Sequence, residues 1–293
     1  WIKHYSEEND IVLDPFCGSG VAPIGAIKLD RKSIGIDLNP LAVFVTRMTG
    51  ISVNINELKK AFNEIKDKLR GAPKKPPIKY EVKVKQKNKV EKKEISFNYL
   101  YETKCKCGKK ATITHVVWSN VYRCPFCGED IIYSNVEKKD NCLFCQCGKK
   151  INVRKISLKR ITETPIEIWY YCSYCNSKKI QSKQPDKSDF LKLSEIEKME
   201  IPYWYPKNAK FTYAKGKRFL QLRHGVRETP ELEQLFTRRN LVALSILLHE
   251  IEQLPKDNLK DLLKFTFTSV LASVSRINIK NVGGYRSKGR GWT

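Results

Sequence analysis

The stretch Asp14-Pro15-Phe16-Cys17-Gly18-Ser19-Gly20 gathers an acid, an aromatic and two glycines. An apolar run, Ile11-Val12-Leu13, precedes it, and apolar residues at helical spacing follow from Val21 to Leu29. That context predicts a turn between a strand and a helix. Glycines in such a turn let a ligand approach the backbone closely, and the helix that follows aims its amides at it. A second run, Ser33-Ile34-Gly35-Ile36, ends at Asp37, and Asn39-Pro40 opens a further helix from Leu41 to Met48. An acid at that strand end can accept hydrogen bonds from both hydroxyls of a ribose. The candidate cofactor-binding residues are Asp14, Pro15, Phe16, Gly18, Ser19, Gly20, Asp37 and Asn39. Cys17 is read as a small packing residue.

Cysteines supply the second chemistry. Nine of the ten fall between Cys105 and Cys175, in C-x-C and C-x-x-C pairs. Such pairs are metal knuckles more often than disulfides, because their thiolates converge from tight turns. An internal repeat organises them: Cys105-Lys106-Cys107-Gly108-Lys109-Lys110 is matched by Cys145-Gln146-Cys147-Gly148-Lys149-Lys150. Each copy is followed by a C-x-x-C pair, first Cys124/Cys127 and then Cys172/Cys175. Taken in chain order, the expected zinc sites are Cys105, Cys107, Cys124 and Cys127, then Cys145, Cys147, Cys172 and Cys175. Cys142 is left over and could replace Cys145 or Cys147. Eight thiolates with no open position favour two structural zinc ions. The histidines, His4, His115, His224 and His249, are scattered and assigned to no metal.

Several elements must position these groups. Strand, helix, strand, helix over the first 70 or so residues implies a parallel sheet with right-handed crossovers. Ala72 to Pro77 is a break, and Tyr80 to Lys85 alternates as an exposed strand within a lysine-dense stretch. Thr112 to Trp118 and Ile166 to Tyr171 are β-prone. Thr237 can cap a helix carrying Leu241, Leu244, Leu248 and Ile251. Pro255 breaks it, and Leu259 to Val274 marks another. The end, Gly283 to Arg290, reads as loose.

The net charge is +24, from 55 basic and 31 acidic residues. An excess of that size fits a polyanionic partner, since basic surface displaces counterions from phosphates. Aromatic residues stand among the knuckles (Trp118, Tyr122, Phe126, Trp169, Tyr170, Tyr174), and stacking plus charge suits nucleic acid. No apolar run approaches the roughly 20 residues that span a bilayer. Trp1 to Tyr5 lack the apolar core of a signal peptide, so a reducing cytoplasm is expected. Trp1 stands where an initiator Met would, which suggests a longer or processed gene product.

The string Asp14 to Gly20 resembles the D-P-F-x-G-S-G motif of methyltransferases that modify exocyclic amines of DNA bases, adenine N6 or cytosine N4. Gly35-Ile36-Asp37-Leu38-Asn39-Pro40 is similar to that family's second motif. The close match covers about the first 50 residues. The resemblance implies S-adenosylmethionine as cofactor, with Asp14, Phe16, Gly18 and Gly20 along its methionine part and Asp37 on its ribose. Methyl transfer to an amine needs no thiol, which agrees with a packing role for Cys17. The order of elements is similar to the amino-terminal half of zinc-ribbon adenine-specific DNA methyltransferases. The expected fold is thus α/β: a partial Rossmann-like methyltransferase sheet, a zinc-ribbon β insert and a helical C-terminal segment. The expected parts are 1–70 for the cofactor, 71–99 as a basic linker or strand, 100–185 as a double zinc ribbon and 186–293 as helices.

In that family a D/N-P-P-Y/F/W segment accepts the target amine and stacks on the flipped base. No such tetrapeptide occurs in these 293 residues. The nearest cluster, Ile201-Pro202-Tyr203-Trp204-Tyr205-Pro206, lacks the Asp or Asn. The catalytic residues are therefore not identified, and a downstream segment or a second polypeptide is expected to carry them. Thr237-Arg238-Arg239-Asn240-Leu241 is similar to the stretch just before that tetrapeptide. DNA is the expected partner. RNA is the second choice, and a non-enzymatic DNA-binding module with a relic cofactor fold is the third.

Overall fold

The computed structural model describes residues 1–86, 89–136, 138–139, 142–152, 160–175, 179–209 and 231–275. His224 and the glycine-rich end, Gly283 to Arg290, lie outside the described residues. The chain is mixed α/β with several small sheets. It divides into two compact units: Trp1–Lys75 with Leu247–Val270, and Pro76–Ile246 with Leu271–Thr293. Among the described residues no helix is long and apolar enough to cross a membrane.

The first unit begins with helix α1 (Ile2–Tyr5), then strand β1 (Ile11–Asp14), helix α2 (Val21–Ile27) and strand β2 (Lys32–Gly35). β1 and β2 are parallel, with Ile11 opposite Lys32 and Asp14 opposite Gly35. Helix α2 makes the crossover and buries Pro23 and Ala26. Gly35 permits the close approach this needs: a Cβ there would lie 3.2 Å from both Cys17 Cβ and Pro23 Cγ. Cys17 is buried, as its packing role requires. Helix α3 (Pro40–Gly50) starts where Asn39 accepts from the Leu41 amide and Pro40 fixes the first turn. Helix α4 (Ile55–Arg70) is capped by Asn54 and buries Ala61, Ile65 and Leu69, one stripe at four-residue spacing.

The second unit opens with a hairpin of β3 (Lys79–Gln86) and β4 (Lys89–Ser96), followed by the turn of helix α5 (Phe97–Leu100). The alternating sequence of β3 buries Tyr80, Val82 and Val84 on one face and leaves the lysines on the other. Seven further strands are β5 (Glu102–Lys104), β6 (Lys110–Arg123), β7 (Asp130–Ile132), β8 (Lys138–Lys139), β9 (Cys142–Phe144), β10 (Lys150–Asn152) and β11 (Arg160–Tyr171). They are completed by β12 (Gln181–Lys183). The long strands β6 and β11 pair antiparallel from Tyr122↔Arg160 to Thr112↔Tyr171. They form the centre of a sheet ordered β12-β11-β6-β5, with β7 also on β6. β8, β9 and β10 form a separate small sheet.

Helix α6 (Lys187–Glu197) starts with a capping box. Asp186 accepts from the Ser188 and Asp189 amides, and Asp189 accepts from the Asp186 amide. Lys183 sits 2.6 Å from Asp186 and 2.7 Å from Asp189, and Thr103 donates to Asp189 at 2.6 Å. The Lys183 and Asp189 side chains are 9% and 7% exposed, so this pair is desolvated. Asp189→Ala strips a buried ammonium of one carboxylate and a hydroxyl of its acceptor. It is expected to lower stability by about 2–4 kcal/mol, read as a lower urea midpoint. Lys183 and the Ser188 hydroxyl hold Asp186 well below the usual carboxylate range. Its stabilising contribution is therefore complete above its unfolded pKa, about 4, and fades as the pH falls below that.

A 3₁₀ turn (Leu232–Leu235) precedes helices α7 (Arg238–Glu252) and α8 (Asp257–Val274). Thr237 Oγ1 accepts from the Asn240 amide at 3.3 Å, the cap expected from the sequence, and Pro255 lies between the helices.

Candidate functional site

The turn from Asp14 to Gly20 joins β1 to α2 and is held from three sides. Asp14 Oδ1 accepts from the Phe16 amide at 3.0 Å, which folds the turn back on its own acid. The Cys17 amide donates to Ile36 O at 2.9 Å, tying the turn to the end of β2. Thr46 of α3 donates its hydroxyl to Gly18 O at 3.2 Å. Gly18 and Gly20 both adopt positive φ, +51° and +88°. A Cβ on Gly20 would lie 2.8 Å from Thr46 Oγ1, so this glycine serves packing as well as conformation. A Cβ on Gly18 would meet only Phe16 O, at 4.0 Å, so its outer side is open.

Asp37 closes the site. Its Oδ2 accepts from the Gly18 amide at 2.9 Å and its Oδ1 from the Asn39 amide at 2.8 Å. These bonds, the Asn39 amide most and the Gly18 amide next, hold its carboxyl below the usual carboxylate range. The carboxylate is thus charged and oriented. Two carboxylate oxygens offer about four lone-pair positions, so two amide bonds leave acceptor capacity on each oxygen. The structure brings together Asp14, Gly18, Gly20, Asp37 and Asn39, and Pro15, Phe16 and Ser19 lie on the same turn with exposed side chains. Thr46 escaped sequence reasoning. Its only signal was a threonine on the helix after the acid, which no spacing rule singles out.

All eight knuckle cysteines converge, but in a different grouping from chain order. One group is Cys105, Cys107, Cys172 and Cys175, and the other is Cys124, Cys127, Cys145 and Cys147. The reason is the length of the β6–β11 hairpin. Its pairing at Thr112↔Tyr171 brings the chain before β6 beside the chain after β11, so Cys105/Cys107 meet Cys172/Cys175. The inserted small sheet meets the knuckle after β6 at the hairpin's other end. One centre is therefore nested inside the other. Cys142 lies in β9, outside both groups.

Sulfur spacing tests the fit to a metal. Within the outer group Cys105 and Cys175 are 3.5 Å apart, and Cys107 and Cys172 3.8 Å. Within the nested group the distances are 4.0 Å for Cys124–Cys147 and 3.7 Å for Cys127–Cys145. A disulfide needs about 2.05 Å. The edge of a tetrahedron with metal–sulfur bonds of about 2.3 Å is about 3.8 Å. The spacing fits a four-thiolate metal site. The Cys107 amide lowers the Cys105 thiol to about 6. Hydrogen bonds with Cys105, and then with Cys107 and Cys172, push Cys175 up to about 12. Crowded sulfurs that cannot all carry charge unaided are suited to a divalent cation.

Residues 1–46 match the family model described as DNA methylase, a span that includes the turn and Asp37. The chain is 29% identical over 70 residues to the "Type II methyltransferase M.MjaII" of Methanocaldococcus jannaschii. That alignment covers 24% of this chain and 13% of the relative. No solved structure matches. The similarity to the DNA methylase family model is thus confined to the first 46 residues, and the chain aligns with only 13% of the methyltransferase relative.

Proposed function

We propose that the chain is the cofactor-binding part of an S-adenosylmethionine-dependent methyltransferase acting on an exocyclic amine of DNA, adenine N6 or cytosine N4. The observation that carries this reading is the bond from the Gly18 amide to Asp37, which joins the glycine turn and the strand-end acid into one cradle. When bound, S-adenosylmethionine supplies an electrophilic methyl group. Asp37 holds its ribose hydroxyls with the remaining lone pairs. Gly18, open on its outer side, lets the methionine part approach the backbone, beside Asp14 and the 85% exposed Phe16.

Two zinc ions hold the cysteine centres. Four thiolates close each coordination sphere, which makes them structural rather than catalytic. The charge of +24 suits the phosphates of DNA. The acceptor for the target amine comes from a further segment or a second polypeptide, since no D/N-P-P-Y/F/W segment is present in this sequence.

Calorimetry with S-adenosylmethionine tests the cradle. Asp37→Ala removes the ribose acceptor and the anchor of Gly18, and is expected to cost about 1–3 kcal/mol, roughly 5- to 150-fold in Kd. Unchanged affinity in a folded Asp37→Ala protein would contradict the assignment.

A further inference from the structure

The two cysteine centres are built from the same repeat and fold alike. The Cys105 amide donates to Lys109 O at 2.8 Å, and the Cys145 amide to Lys149 O at 3.1 Å. Gly108 and Gly148 each donate to the cysteine carbonyl three residues back, both at 2.9 Å. Their side chains differ. Around the outer centre stand Lys104, Lys106, Lys109 and Lys110, all exposed, with the acid Glu102 beside Lys110. Lys110 is spent on that acid, at 2.8 Å, whereas Lys104, Lys106 and Lys109 make no ion pair among the described residues. The facing knuckle adds Tyr174, 69% exposed. At the nested centre Lys104 and Lys106 are replaced by Phe144 and Gln146, and the facing knuckle carries Glu129 and Asp130. Asp130 holds Arg123 at 3.2 Å.

We propose that the tip of the outer centre, and not that of the nested one, docks on the phosphate backbone of duplex DNA. The choice of DNA rests on the function proposed above; the choice of tip does not. The knuckle fixes the backbone of Lys106 and Lys109, so these ammonium groups lose little backbone freedom on contact. The ring of Tyr174 adds a flat surface for the sugar edge or a base. The nested centre, where Asp130 pairs with Arg123 and Glu129 adds a second acid against Lys149 and Lys150, serves to brace the small sheet.

The test uses the zinc-loaded full chain and a labelled DNA duplex, with anisotropy measured across a salt series. The variant K104A/K106A/K109A is expected to bind at least about tenfold more weakly at low salt. Its slope of log K against log salt should fall by about 2–3, close to one unit per lost phosphate contact. K149A/K150A, at the nested centre, should stay within about twofold of the parent. Zinc content equal to the parent's shows that each variant is folded. Equal losses in the two variants, or an unchanged slope in the first, would overturn the proposal. A loss confined to an RNA duplex would overturn the choice of DNA. If the tip result holds while calorimetry finds no S-adenosylmethionine binding, the methyltransferase reading falls and the docking surface stands.

Discussion

Replacing Cys124 and Cys145 together with serine is expected to lower bound zinc from about two ions per chain to about one. Both belong to the nested centre, so the outer set, Cys105, Cys107, Cys172 and Cys175, keeps all its thiolates. Chain-order pairing would place those two cysteines in different sites and cost both ions. Cys105→Ser with Cys124→Ser reverses the logic: it wounds both centres here, but only one under chain-order pairing. Structural zinc contributes about 10–16 kcal/mol in small peptides, more than the small sheet can replace. The nested centre has few other resources. Its buried cluster is Cys124, Ile131, Cys145 and Ile151, whereas the outer cluster adds Ile113, Val116, Ile168 and Tyr170. A chelator should therefore release the strands around Cys142–Phe144 before those of β6 and β11. Amide hydrogen exchange reports the order. Simultaneous loss of protection in both regions would show that the centres are not independent.

The second large effect concerns turnover. An amine must have its lone pair aimed at the methyl group, and positioning supplies much of the barrier reduction in such transfers. Asp37 and Asp14 are engaged with the turn's own amides, which suits holding a cofactor rather than receiving a flipped base. The parallel sheet described here has two strands, with Ile11, Leu13 and Ile34 exposed at 64%, 57% and 49%. Parallel strands are ordinarily covered on both faces. Under the proposed function, the segment that carries the amine acceptor also covers these residues. The chain alone is then expected to bind cofactor and DNA but to transfer no methyl group.

Local rules made much of this legible. The turn, its acid and the helix caps at Asn39 and Thr237 are set by neighbours within a few residues, and the sequence shows them. The eight knuckle cysteines that gather into two groups were legible for the same reason, because knuckles are local. Their partnership was not, because it depends on how far a 14-residue and a 12-residue strand run together before the chain turns. Register shifts along that pairing, such as the one between Pro165 and Glu167, leave no local mark. Helix α6 lies within the stretch expected as helices, but its own bounds are hard to read because its apolar residues are mixed in burial: Ile196 is buried while Leu191 is 63% exposed. Its capping box, Asp186 with Asp189, was the available signal. Asp37 was read as a ribose acceptor only. That it also accepts from Gly18, across the two strand ends, depends on the parallel register of β1 and β2.

Transfer of a labelled methyl group from S-adenosylmethionine to duplex DNA tests the central claim most directly. It is measured with this chain alone, and again after adding a polypeptide that supplies a D-P-P-Y-like segment. The expected result is no incorporation above background by the chain alone, and incorporation on adenine or cytosine amines in the mixture that Asp37→Ala lowers by about 5- to 150-fold at limiting cofactor. Robust turnover by the chain alone, or turnover in the mixture that ignores Asp37→Ala, would contradict the account.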